Sequence, residues 1–364
     1  MNELDRAREK INAIDKQIAK LFEERMHAAY DVAMYKKTHS LPIFDGNREQ
    51  QVIEKNSAYI EDGQIKSLYI LLQKELISLS KKYQEGVMGG MQVAYSGVEG
   101  AYAHTAATRV FPDMNYIPFH GFAAAYSAVE NGDCSCAVLP IENSSAGEVG
   151  DTLDLIYSGS LYVNGIYELK VTHNLLAPKG TKLSDITTVI SHPQALEQCR
   201  TFIERGNFKT VSATSTSSAA KQVASLCDGC TAAIADKKNA ALYGLDILAQ
   251  SINDNAYNTT RFAVLSRAYT PVSSDEGLFY LGFTVNHEAG ALAKAINIIA
   301  DNGFNMHSIK SRALKDTLWQ YVFFTEIQGD PDSENGKKML GELHGICNDV
   351  KVLGAFKEHV LLED

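Results

Sequence analysis

Polar side chains in the first 85 residues have types and spacings suited to gripping a small anion. Arg25 and Lys36 stand 11 residues apart, which at about 100° per residue puts them within about 20° of one helix face. Arg8 lies 17 residues before Arg25, so along one straight helix the two are about 25 Å apart and on different faces. One small ligand reaches both only if Arg8 comes from an antiparallel second copy. Ser80 and Gln84 form an i, i+4 pair, and Asp45, Arg48 and Glu49 crowd the start of another helix. Guanidinium forks take carboxylates bidentately, so the set suits a carboxylate ligand. Taken singly, such charges are ordinary solvated faces of amphipathic helices.

A second group lies beyond residue 90. Ser96-Gly97-Val98-Glu99-Gly100 follows the apolar run VAY and opens a helix at Ala101, a place where backbone N–H groups meet anions. It is not the GxGxxG dinucleotide fingerprint. LPIENSSAGEVGDTL carries Asn143, SHPQALEQC carries Gln198, ATSTSSAA carries Ser215 and Thr216, and NTTRFAVLS carries Thr260, Arg261 and Phe262. Singly, Ser and Thr at helix starts are caps; together these stretches put small polar donors at loop ends above a sheet, where open α/β folds bind ligands. Metal chemistry is not expected. Cys227 and Cys230 are one CxxC pair with no second, and Cys134 and Cys136 are too close for a zinc knuckle. His104, His120, His173 and His192 are scattered, with His192 shaping a turn before Pro193, and Trp319, Tyr321, Phe323 and Phe324 read as strand core.

The elements that must position these groups follow from periodicity. Leu4, Ile11, Ile14, Ile18 and Leu21 recur at steps of 7, 3, 4 and 3, a single helical stripe. The first helix is predicted over about 3–38, broken by THSLP (38–42). A second runs over about 46–58 with Asp45 as N-cap, and a third ends near 85. One helix so long cannot bury its stripe against two shorter ones, which predicts an entwined homodimer. EGVMGG (85–90) reads as a linker. Short apolar runs then alternate with helical patterns over about 175 residues, predicting α/β with a largely parallel sheet in two lobes. After a second linker (269–277), residues 278–364 read βαββαβ, the ferredoxin-like order.

Composition bounds the class. The 364 residues are 45% hydrophobic and 21% charged, with a net charge of −10, ordinary for a globular chain of two or three domains. Residues 1–85 hold 14 basic and 14 acidic residues; the remainder hold 20 and 30 and carry the whole deficit. An acidic bulk argues against nucleic acid. No apolar run approaches the length of a membrane span, and MNELDRAREK is too charged for a secretory leader. Six cysteines without a disulfide framework complete the expectation of a cytoplasmic protein.

Residues 1–85 resemble the helical chorismate mutases, through AREKINAID, EERMHAAYDVAMYKK, DGNRE and LISLSKKYQ. The resemblance implies rearrangement of chorismate to prephenate, with Arg8 (from the partner chain) and Arg25 clamping carboxylates, Lys36 and Gln84 facing the ether oxygen, Glu49 at the ring hydroxyl, Arg48 assisting, and Asp45 and Ser80 beside them. Such a reaction needs a compact near-attack shape and stabilised charge rather than a nucleophile or metal. Residues 92–268 are similar to prephenate dehydratase, most specifically at Thr260-Arg261-Phe262. That implies a two-lobed fold like solute-binding proteins and conversion of prephenate to phenylpyruvate. In it Thr260 donates to the leaving hydroxyl, Asn143 and Gln198 hold substrate beside Ser215, Thr216 and Phe262, and Arg261 positions the Thr loop or a carboxylate. Residues 278–364 resemble the ACT regulatory domain, through Gly290-Ala291-Leu292-Ala293 and IKSRALKDTLWQYVFF. That implies phenylalanine as allosteric ligand at Gly290, Ala291, Leu292, Ser311 and Arg312, with Lys310 and Ala313 departing from the usual Glu and Pro. Together the segments are identified with the bifunctional chorismate mutase/prephenate dehydratase family. No cofactor is implied, and the assembly expected is a homodimer or tetramer. Three alternatives stay open: a sensor without turnover, an arogenate dehydratase, and a helical half that serves only assembly.

Overall fold

The computed structural model describes residues 2–38, 46–88, 90–272, 277–314 and 320–362. Asp45, Trp319 and most of the THSLP break lie outside them. The chain divides into two compact units, Met1–Gln92 and Val93–Asp364.

The first unit is helical throughout: α1 (Glu3–Thr38), α2 (Gly46–Ser57) and α3 (Gly63–Met88). α1 has the predicted bounds, because nothing before Pro42 breaks the hydrogen-bond ladder. α3 runs three residues past the predicted end, absorbing Gly86 from the expected linker. α1 packs on α3 through Ala29 and Ala33, which are buried. Its predicted apolar stripe is left open: Leu4, Ile11, Ile14, Ile18 and Leu21 are 45–62% exposed.

The second unit begins with β1 (Gln92–Ser96), α4 (Tyr102–Val110), β2 (Asn115–Phe119), α5 (Phe122–Glu130), β3 (Cys136–Asn143), β4 (Gly147–Glu148), α6 (Gly150–Ser158) and β5 (Tyr162–Lys170). The chain then crosses into a second lobe: β6 (Asn174–Pro178), β7 (Thr188–Ser191), α7 (Pro193–Gln198), α8 (Arg200–Gly206), β8 (Lys209–Ser212), α9 (Thr216–Leu226), β9 (Thr231–Ala235), α10 (Lys238–Tyr243) and β10 (Leu245–Ala249). It returns as β11 (Thr259–Ser266). The last stretch is β12 (Leu278–Thr284), α11 (Ala291–Asp301), β13 (Asn305–Ala313), β14 (Tyr321–Gln328), α12 (Glu334–His344), β15 (Asp349–Phe356) and β16 (Val360–Leu362).

The sheets are mixed, not largely parallel as expected. β1 and β3 are parallel, but the returning β11 enters antiparallel between β3 and β5. In the second lobe β7 is parallel to β8 and β9, while β6 runs antiparallel to β9 and β10. The reason is the double crossing between lobes, which makes the strand leaving one lobe and the strand re-entering it point oppositely.

The βαββαβ stretch has the strand order β13-β14-β12-β15, but it is no separate body. β15 and β16 both pair parallel to β5, so one sheet runs from β13 to β2. Gly354 of β15 lies against the Val163 backbone so closely that a Cβ there would collide with it. One core cluster joins Leu139, Ile156 and Leu265 of the first lobe to Tyr280, Phe324 and Leu353. Two further clusters fill the two faces of the second-lobe sheet, and another lies between β12–β15 and α11–α12. Phe324 is core as expected, whereas Tyr321 is exposed.

Candidate functional site

In the helical unit, α1 and α3 bring Arg25 to Ser80. Arg25 Nη1 donates to the Leu76 carbonyl at 3.0 Å and to Ser80 Oγ, and Ser80 Oγ donates to Leu76 O at 2.8 Å. Burial pushes the Arg25 guanidinium below its ordinary pKa. One turn further along α3, Gln84 is 9% exposed, and its Oε1 is buried without a partner among the described residues. An amide oxygen in that state is an acceptor open to a ligand. Glu49 is ion-paired to Lys81 at 3.1 Å, a lysine that sequence reasoning passed over. Lys36 is half-buried near the end of α1, and Arg8 and Arg48 are exposed.

In the second unit a cavity of about 410 Å³ opens between the lobes. It is lined from the first lobe by Ser96, Gly97, Tyr102 and Asn143, from the second by His192, Gln198, Ser215 and Thr216, and from β11 by Thr260 and Phe262. Alternation along β11 turns Thr260 and Phe262 to this side together. Gly97 takes φ +107° in the turn, which the missing Cβ permits. Helix starts converge here: Ala101–Ala103 at α4, Gln194 and Ala195 at α7, and Ser215 and Thr216 at α9. Ser215 caps α9, its Oγ accepting from Ser218 N at 3.0 Å. His192 Nδ1 accepts from Gln194 N at 3.3 Å, so it does shape the turn while also lining the cavity. The lobes are latched beside the cavity by Ser217 Oγ donating to Glu99 O at 2.6 Å and Asn239 Nδ2 to Gly100 O at 3.0 Å. No lysine or arginine lines it among the described residues.

One network spans its floor. Asn143 Nδ2 donates to Thr260 Oγ1 at 2.9 Å and to Asn258 Oδ1 at 2.8 Å. Asn258 Nδ2 donates to Gln198 Oε1 at 2.9 Å, and His173 Nε2 lies 2.9 Å from the same oxygen. Burial lowers the His173 pKa, against a hydrogen bond to Gln198 that raises it.

Comparison with known proteins assigns both segments to known families. Residues 93–270 match the prephenate dehydratase family and residues 7–85 match chorismate mutase type II. A bifunctional chorismate mutase/prephenate dehydratase of Enterobacter agglomerans is 31% identical over 371 residues, covering 98% of this chain and 96% of that protein. The chain belongs to the bifunctional chorismate mutase/prephenate dehydratase family. It carries both activities of that family, an isomerase and a lyase. Among solved structures, prephenate dehydratase from Arthrobacter aurescens in complex with L-Phe is 29% identical with a TM-score of 0.68, covering 74% of this chain and 90% of that one. GqqA, described as a novel type of quorum-quenching acylase, is 31% identical with a TM-score of 0.67, covering 73% and 97%.

Not every residue expected from the family resemblance meets at these two places. Arg261 points to the opposite side of β11 from Thr260. There it bonds Glu168 Oε1 at 2.9 Å, Glu142 and Glu326 at 3.4 Å each, and His359 Nδ1 at 3.0 Å. It therefore pairs with the protein's own carboxylates, not with the cavity. Lys310 joins this knot at 2.6 Å from Glu142, one residue from Asn143. Despite its burial, Glu326 is held below the usual carboxylate range by His359, Arg261 and Lys310. Arg312, expected beside a regulatory ligand, is instead a fork on Asp154 of α6, with Nη2 2.8 Å from Oδ2. Ser311 is exposed on β13, and Gly290, with φ +82°, opens α11 ahead of half-buried Ala291 and Leu292. Sequence reasoning left His173 among scattered histidines and did not single out Asn258 or Tyr102. Their only local signal is position: His173 lies where the chain crosses between lobes, and Asn258 two residues before Thr260.

Proposed function

We propose that the helical unit rearranges chorismate using Arg25, Lys36, Arg48, Glu49, Ser80 and Gln84 of one chain and Arg8 of a second. The support is the face formed by half-buried Arg25 with buried Ser80 and Gln84, together with five large apolar side chains exposed along α1. Those five are already about half covered, so burying the rest at about 1 kcal/mol each is worth roughly 5 kcal/mol, which favours an entwined dimer. An antiparallel partner also brings an Arg8 to the Arg25 end.

The interlobe cavity takes prephenate. The carrying observation is that Thr260 Oγ1 accepts from Asn143, which leaves its own hydrogen for the leaving hydroxyl. The reaction consumes one proton and gives phenylpyruvate, CO2 and water: the carboxylate bond pair enters the ring as hydroxide departs. A cavity lined by helix starts and neutral donors receives the anion without the ground-state stabilisation that a guanidinium would give a carboxylate about to leave as CO2. The test is phenylpyruvate formation from prephenate. Thr260→Ala should lose it by on the order of 10²-fold or more while chorismate turnover is kept; unchanged dehydration in that variant refutes the assignment. Parallel kinetics with arogenate decide between the two substrates. An acylase reading, prompted by GqqA, lacks support, because among the described residues no Ser, Thr or Cys of the cavity is hydrogen-bonded to a histidine.

The C-terminal βαββαβ module is, in this reading, a ferredoxin-like ACT domain that binds phenylalanine near Gly290, Ala291, Leu292 and Ser311. Phenylalanine then acts as a feedback effector in a dimer or tetramer. The L-Phe complex of the Arthrobacter aurescens relative supports the ligand. Calorimetry of the intact protein with phenylalanine checks it, and no heat at saturating ligand would end it. A cytoplasmic location accords with six unpaired cysteines. No described helix is long and apolar enough to cross a membrane.

A further inference from the structure

The network on the cavity floor has a direction that can be read from its backbone end. Asn143 Oδ1 accepts from the backbone N–H groups of Ser145 and Ala146, at 3.0 and 2.9 Å. Backbone N–H can only donate, so the Asn143 oxygen is fixed there and its Nδ2 must face Asn258 and Thr260. Asn258 then presents its oxygen to Asn143 and its Nδ2 to Gln198 Oε1. That oxygen can only accept, so His173 Nε2, 2.9 Å away, carries a hydrogen. On the other side of the ring, Nδ1 lies 3.3 Å from the Tyr102 hydroxyl, which also reaches the Thr172 carbonyl at 2.9 Å. His173 is itself held by its backbone N–H, which donates to Asn253 Oδ1 at 2.6 Å. With its oxygen bonded twice, Gln198 has only its amide N–H groups left for the cavity that it lines.

We propose that His173 is a positioning residue of the dehydratase site: its Nε2–H, with Asn258, locks the Gln198 amide so that N–H and not C=O faces the substrate anion. A terminal amide is nearly symmetric in shape, and a single donor leaves it freer to swing or invert. An inverted Gln198 turns an acceptor toward a carboxylate or leaving hydroxyl. The inference rests on the reading of Gln198 and Thr260 as substrate donors.

The test is steady-state kinetics with prephenate on the full chain, for His173→Leu, His173→Gln, Gln198→Leu and the double variant His173→Leu/Gln198→Leu, with chorismate turnover as internal control. Losing one neutral hydrogen bond should lower kcat/KM about tenfold in His173→Leu. Glutamine, whose amide nitrogen reaches the Nε2 position, should recover to within about threefold. In the Gln198→Leu background the His173→Leu change should add no further loss, since the two act as one unit. Equal penalties in both backgrounds, or a Gln variant as impaired as Leu, overturn the proposal. A crippled Gln198→Leu beside an unaffected His173→Leu overturns the proposal alone. Full turnover by Gln198→Leu overturns the site reading and the proposal with it. Should His173→Leu fail to fold, His173→Gln against His173→Asn decides: asparagine is too short to reach Gln198, and parity between the two refutes the locking role.

Discussion

In the proposed reactions Gln84 and Thr260 do related work with opposite exposure to pH. Gln84 is an amide whose oxygen is buried without a partner among the described residues, and an amide donates without any protonation step. The rearrangement of chorismate should therefore run at a rate nearly constant between about pH 6 and 8; a bell-shaped kcat profile in stopped-time assays would contradict it. Replacing Gln84 with Glu should make the rate fall as pH rises, because the buried carboxyl donates only when protonated. Thr260 is tuned differently. Its hydroxyl is polarised by Asn143, and the leaving group must gain a proton, so dehydration is the half expected to depend on pH.

Among the elements, α1 and β15 carry opposite burdens. α1 has the right bounds for a 36-residue helix but buries little of its own stripe. Ile11→Glu with Ile18→Glu should split the proposed dimer in sedimentation velocity and abolish chorismate turnover, leaving prephenate turnover in place. A variant that stays dimeric would show that this stripe is not the interface. β15 ties the βαββαβ module to the first lobe through its pairing with β5, and Gly354 makes the approach possible. Lys351 Nζ adds a bond to the Tyr157 carbonyl at 3.1 Å, and Arg109 Nη1 holds Leu362 O at 3.1 Å beside β16. Gly354→Ala should cost about 1–3 kcal/mol by overpacking against Val163, read as a lower midpoint in denaturant; an unchanged midpoint would mean the seam yields freely. The same joint places the Arg261, Glu326, Lys310 and His359 knot directly behind Thr260 and Asn143, which ties the βαββαβ module to β11.

For the whole molecule, acid stability follows from three groups, two of them buried and one half-buried. His173 and His104 have folded-state pKa values lowered from 6.5 by burial. Below about pH 6.5 the unfolded chain thus binds more protons, and stability falls as pH drops toward the lowered values. Glu326 is depressed from 4.5, so its contribution is present above that pH and is lost as pH falls through the lower folded value. Thermal melts of the intact protein should decline in two stages, the first beginning just below neutrality. His173→Gln should diminish the first stage and spare the second; a single decline starting only near pH 4.5 would contradict the histidine contribution.

Sequence alone determined the three helices, the strand–helix alternation and the βαββαβ order, and named several of the residues that line the two candidate sites, because each rests on local periodicity or on a contiguous motif. Asn143, Gln198, Ser215 and Thr260 were legible for the same reason: each sits inside a short run of helix-start or strand-end residues. Only the tertiary structure decided that Arg261 turns away from Thr260, since alternate residues of a strand face opposite ways and the pairing of β11 sets which side holds the cavity. It also decided that Arg312 and Lys310 bind the first lobe, and that His173 and Asn258, 85 residues apart, meet at Gln198. Such contacts depend on two crossings between lobes and on a sheet continued by the last strands, and no local pattern of residue types encodes a distance through space.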